Sequence, residues 1–156
     1  LANMVLDAFD RRILDILQRD VTIPIAEIAE KVGLSSTPCW KRIKRMEQGG
    51  IIDRRVAILD RDLLGLGVTV FVEVRTSDHS DQWRQAFSEG VSVIPEVVEL
   101  YRMSGEVDYL LKIVVRDIAD YDRIYRKLTK AAPLHDVSSS FAMQEIKSTT
   151  ALPLHD

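Results

Sequence analysis

Thirteen residues gather a dense set of chemistry-bearing side chains in one short register: Ser36, Thr37, Trp40, Lys41, Arg42, Lys44 and Arg45, with Glu47 as the single acid of the stretch. Hydroxyls, an indole and four cations are groups that bind phosphate and read base edges in a DNA groove. They are not a catalytic set, because no histidine or paired carboxylate accompanies them. The spacing predicts that they share a helix. Ser35 is placed to cap it, its hydroxyl taking a first-turn N–H. Pro38 falls where no intrahelical N–H bond is lost. Gly49 and Gly50 supply a left-handed stop. Cys39, Ile43 and Met46 recur at i, i+4, i+7 and form a buried stripe, so Thr37, Lys41, Lys44, Arg45 and Gln48 project from the other side. Trp40 and Arg42 lie on the borders. Trp40 is open between interior packing and DNA contact, and Arg42 between a phosphate and a carboxylate of its own domain.

Other combinations fare worse as chemistry. Asp108 stands near Glu106 and Glu99, but no nucleophile or base goes with them. Ser138, Ser139 and Ser140 have only His135 nearby. Cys39, the one cysteine, excludes an internal disulfide and a thiolate metal site. His79, His135 and His155 lack metal-ligand spacing, so neither a metal nor a cofactor is expected. Ser104-Gly105-Glu106-Val107-Asp108 does not run into a helix and is no nucleotide fingerprint. The chain is not expected to be an enzyme.

Several elements must hold the basic helix in place. Asp7 caps a first helix over about 8–18, with Phe9, Ile13, Ile16 and Leu17 inward. Pro24 opens a second over 25–32, stopped by Gly33. Two short helices around a tight glycine turn are a helix-turn-helix pattern. Residues 51–59 read as extended, with a short wing hairpin or edge strand presenting Arg54 and Arg55 to phosphate. The first domain is therefore 1–59, followed by a hinge at 60–67. From Val68 to residue 156 the period changes. Valines at 68, 70, 72 and 74 alternate as in a strand. A helix follows at 80–91 with Trp83, Ala86 and Phe87 inward. Strands are expected from Pro95 to Met103, from Tyr109 to Val115 and from Val137 to Lys147. Between the last two lies a helix at 117–131 with Ile118, Tyr121, Tyr125 and Leu128 on one stripe. The order βαββαβ is ferredoxin-like, and the fold class is α+β. Phe71, Leu110 and Val114 leave the second sheet face partly apolar, which points to a homodimer by sheet packing.

Composition agrees with a folded protein of two small domains: 156 residues, 46% hydrophobic and 29% charged. The net charge of −3 hides a split. Residues 1–66 carry 11 Lys/Arg and 10 Asp/Glu, and residues 67–156 carry 10 and 14, so only the first half suits a polyanion. No apolar run reaches membrane-spanning length, and the absence of a signal-peptide apolar segment makes the cytoplasm the expected location.

The sequence resembles the Lrp/AsnC family of bacterial and archaeal regulators over nearly its whole length. The likeness rests on L-D-A-F-D-R-R-I-L-D-I-L-Q (6–18), I-A-E-K-V-G-L-S-S-T-P-C-W-K-R-I-K-R-M-E (28–47), G-I-I (50–52) and M-S-G-E-V-D-Y-L-L-K (103–112). Within it, T-P-C-W-K-R (37–42), R-M-S-G-E-V-D-Y-L-L (102–111) and S-S-F-A-M-Q-E-I-K-S-T-T-A-L-P (139–153) look like the subgroup that governs cysteine detoxification. The resemblance implies a winged helix-turn-helix joined to a βαββαβ effector-binding and oligomerisation (RAM) domain, with double-stranded DNA as partner and dimers assembling to an octamer. It also implies a small amino-acid effector, L-cysteine or another, between dimers. Carried over, Gly105 admits the effector carboxylate and Asp108 its ammonium, beside Met103, Ser104, Val107 and Tyr109. His135, Asp136, Ser138, Ser139 and Ser140 complete the pocket. Plain hairpin chemistry is the competing reading of Gly105 and Asp108. The function expected is a sequence-specific transcriptional regulator, with a ligand-independent DNA-architectural protein as the alternative.

Overall fold

The computed structural model describes residues 4–154; His155 lies outside them. The chain forms two compact units, one of the residues up to Ile58 together with the chain from Lys147 on, the other Leu59–Ile146. The expected spans are 1–59 and 68–156, with 60–67 as a hinge. The stretch 60–67 is built into the second unit by Arg61, which donates to Thr69 Oγ1 at 2.5 Å and pairs with Glu145 at 2.8 Å. The tail returns to the first unit, where the Gln18 amide exchanges two hydrogen bonds with the Leu152 backbone, at 2.9 and 2.8 Å.

In the first unit α1 (Ala8–Leu17) starts in a reciprocal cap, because Asp7 and Asp10 each accept the other's backbone N–H, at 2.9 and 3.1 Å. The second helix, α2 (Ile25–Val32), follows Pro24 and stops at Gly33, whose φ of 77° is left-handed. The basic helix is α3 (Ser36–Gln48). Ser35 is its N-cap residue, but its side chain makes no cap bond. Gly49 stays right-handed, and Gly50 alone, at φ 76°, turns the chain. Ile13, Leu14, Ile28, Ala29, Val32, Cys39, Ile43 and Met46 close the core. Cys39 is fully buried, and burial pushes its thiol up, so it packs as a small hydrophobe. The expected wing is not formed: residues 53–60 run without any strand pairing. Their apolar side chains have no partner strand in the same chain.

The second unit is β1 (Val68–Arg75), α4 (Asp81–Ser92), β2 (Val97–Arg102), β3 (Tyr109–Val115), α5 (Ile118–Ala131) and β4 (Asp136–Phe141). The strands lie in the order β2-β3-β1-β4, all neighbours antiparallel, the ferredoxin-like arrangement. Val70, Val72, Val74, Leu111, Ile113 and Val115 pack under Trp83, Phe87, Val91, Tyr121, Ile124 and Leu128. Three expectations shift. On α5 Ile124 joins Tyr121 and Leu128 inward, while Ile118 is 70% and Tyr125 37% exposed. Ala86 faces solvent. The last strand ends at Phe141, and Met143 is exposed. The face without helices mixes Phe71, Leu110 and Tyr101 with Glu73, Arg75, Glu99 and Lys112, as the register with β3 dictates. Among the described residues no helix is long and apolar enough to cross a membrane.

Candidate nucleic-acid interface and effector site

The α3 helix is anchored by Cys39, Ile43 and Met46, so Ser36, Thr37, Trp40, Lys41, Lys44 and Arg45 are left exposed. Trp40 is 46% exposed and therefore available rather than interior. The uncapped first-turn amides add a partial positive charge beside Ser36 and Thr37. The cations divide into four groups by their partners. Arg42 donates to Asp7 at 2.7 Å and to Asp10 at 2.9 Å, with its guanidinium 5.3 Å from the Phe9 ring centroid. Arg45 donates to the other Asp10 oxygen at 2.5 Å. Asp10 is fully buried, so both arginines are tied to α1. The open question about Arg42 thus resolves to a carboxylate of its own domain. The Asp10 backbone N–H and, next, Arg42 hold the Asp7 carboxyl down at about 2. Lys44 and Arg55 share Glu47, at 2.8 and 2.7 Å, and chiefly Lys44 holds that carboxyl below its usual range. Arg54 meets only the exposed Asp53, at 3.4 Å. Lys41 has no ion-pair partner among the described residues.

The second candidate site lies at one end of the sheet. Gly105, at φ 114°, makes the turn between β2 and β3, and Met103 N–H donates to Asp108 O at 2.8 Å. Asp108 Oδ2 accepts the Thr76 N–H at 2.8 Å, with His79 Nδ1 3.9 Å from its other oxygen. This carboxylate therefore ties the turn to the end of β1. Arg75 lies between Glu106, at 3.8 Å, and Asp136, at 3.6 Å, and its carbonyl accepts the His135 N–H at 3.2 Å. Glu73, Arg75, Asp136, Val137 and Ser138 line a cavity of about 310 Å³.

The structure thus gathers Asp108, His135, Asp136 and Ser138 around the end of β1, with Ser104 and Gly105 on the adjoining turn. It separates three expected members. Tyr109 is 5% exposed and packs on Phe87 and Trp83, bordering instead the groove between α4 and β2. Ser139 bonds the Tyr121 hydroxyl on the helix-covered side. Ser140 shares the face of Ser138 but lies opposite Phe71, farther along the strand. Alternation along a strand sends neighbouring serines to opposite faces. Arg75, Thr76 and Glu73 were not foreseen. Their place depends on β1 pairing with both β3 and β4, which local periodicity does not encode. Among the described residues no group of three or more His, Cys, Asp and Glu is arranged to hold a metal.

Comparison with known proteins also divides the chain in two. An AsnC-type helix-turn-helix domain matches residues 6–47, and an Lrp/AsnC ligand binding domain matches residues 69–152. The chain is 50% identical over 149 residues to a glutamate uptake regulatory protein of Zymomonas mobilis, covering 96% of this chain and 91% of that protein. It is 47% identical over 151 residues to the DNA-binding transcriptional activator DecR of Escherichia coli K12, covering 96% and 99%. The solved structure of the transcriptional regulator NMB0573 of Neisseria meningitidis, in complex with L-Met, superposes with a TM-score of 0.91 at 34% identity, covering 96% of this chain and 97% of that one.

Proposed function

The chain belongs to the Lrp/AsnC family of DNA-binding transcriptional regulators, and on that premise we propose which residues read DNA and which sense the effector. Its relatives are regulators, not enzymes. The carrying observation is that α3 is fixed by a buried stripe while Thr37, Trp40 and Lys41 stand uncommitted on its outer side. In this reading Ser36, Thr37 and Trp40 contact bases and sugars, and Lys41 binds phosphate. Lys44, Arg54 and Arg55 are recruited as phosphate displaces Glu47 and Asp53 from them. Arg42 and Arg45 instead fix the angle of α3 on α1. The chain acts as a homodimer formed through the uncovered sheet face, and dimers assemble further, up to an octamer. Two copies of α3 then meet two half-sites.

The small amino acid binds at the end of the sheet. A zwitterion needs a donor for its carboxylate and an anion for its ammonium. Arg75 with the Gly105 backbone supplies the first, and Asp136 with Asp108 the second. A cavity of about 310 Å³ suits a small side chain. L-cysteine is the proposed effector, on the resemblance of 37–42, 102–111 and 139–153 to the cysteine-detoxification subgroup. The test is DNA binding and thermal midpoint of the full chain titrated with L-cysteine, L-methionine, L-leucine and L-glutamate. Cysteine should shift both, because a ligand that binds only the folded state stabilises it by mass action. Asp136→Asn should abolish the shift. No response to any of the four would remove the sensing half of the proposal.

A further inference from the structure

We infer that Glu47 limits how tightly α3 holds DNA, because its carboxylate occupies two cations that backbone phosphate would otherwise take. This rests on α3 being the DNA reader. The two acids that engage the basic helix differ in kind. Asp10 is fully buried, so removing Arg42 or Arg45 from it would strand a charge in the core. Those pairs are permanent. Glu47 is only partly buried, its side chain 25% exposed, with one oxygen for each partner: Oε2 for Lys44, from the same helix, and Oε1 for Arg55, from the extended chain beyond Gly50. Both cations are about half exposed. Solvent-exposed pairs are weak enough to exchange.

A carboxylate held between two cations has the charge layout of a phosphate between two contacts. On approach to a duplex, phosphate competes for the same donors, and the Glu47 charge itself repels the backbone. It is also the only acid on α3 and stands in its last turn, where a negative charge gains nothing from the helix dipole. Removing the charge should therefore leave the helix intact and release Lys44 and Arg55 to DNA.

The experiment is a fluorescence-anisotropy titration of the full chain with a mixed-sequence duplex at several salt concentrations, for wild type and Glu47→Gln. Glu47→Gln should bind roughly threefold to tenfold more tightly at low salt, the gain shrinking as salt screens the charges. Glu47→Ala should move affinity the same way and serves if the glutamine disturbs the helix end. In a background of Lys44→Ala and Arg55→Ala the gain should shrink to the part that direct repulsion by the Glu47 charge contributes. Unchanged or weaker binding would overturn the inference, and so would a gain that persists undiminished without the two cations. If Lys41→Ala weakens binding while Glu47→Gln does nothing, this inference fails alone. If neither variant moves affinity, the reading of α3 fails with it.

Discussion

Asp10 uses its two oxygens for three donors: the Asp7 N–H, Arg42 and Arg45. It joins the cap of α1 to the flank of α3, so the first turn of one helix orients the other. The neighbouring Asp7 carboxyl, held at about 2 against an ordinary value of 3.8, ties the same joint to pH. Its folded value is lowered, so its contribution is full above about 4 and is lost as pH falls towards 2. Asp7→Asn keeps a capping oxygen without the charge. The stability of that variant, followed by chemical denaturation across this window, should fall less steeply with acid than wild type. At the same scale, Lys41→Ala should weaken DNA binding and reduce the slope of log affinity against log salt by about 1, with the melting midpoint unchanged. Little of this was legible in the sequence. It showed that Arg42 stands on a border of the helix. The carboxylates that claim it lie more than thirty positions upstream, and only the packing of α1 on α3 brings them near.

Between elements, the contact of α4 with α5 turns on Gly90. A Cβ added there would lie 2.8 Å from the Ala131 Cβ, so the helices approach too closely for any side chain. Gly90→Ala should destabilise by about 1–3 kcal/mol in equilibrium unfolding, overpacking outweighing the gain in helix propensity. Helix spans were readable because apolar periodicity and caps such as Asp7, Pro24 and Gly33 are local. Strand ends were less so. The last strand stops at Phe141, beyond which only the Ala142 N–H still reaches β1, at the Thr69 carbonyl, although alternation continues in the sequence to Met143. The wing fails for a like reason, since residues 53–60 have no partner strand among the described residues. The candidate effector site suffered most, because pairing and face alternation decide which of Ser138, Ser139 and Ser140 looks outward.

At the scale of the whole molecule, one unit presents a cationic helix and the other a sheet with an uncovered face. Val56, Ile58, Leu59, Leu63 and Leu64 remain exposed in one stretch and Met143 and Ile146 in another, apolar groups of the kind that mark contact surfaces. That supports assembly through copies of the same chain, and two-fold assembly implies two-fold DNA sites. Selection of binding sites from a random duplex pool decides whether α3 of a symmetric assembly reads sequence. The intact chain should enrich an inverted repeat, and a Thr37→Ala, Lys41→Ala double variant of unchanged helicity should not. A pool that stays flat with the intact chain, or the same repeat enriched by the variant, would contradict it.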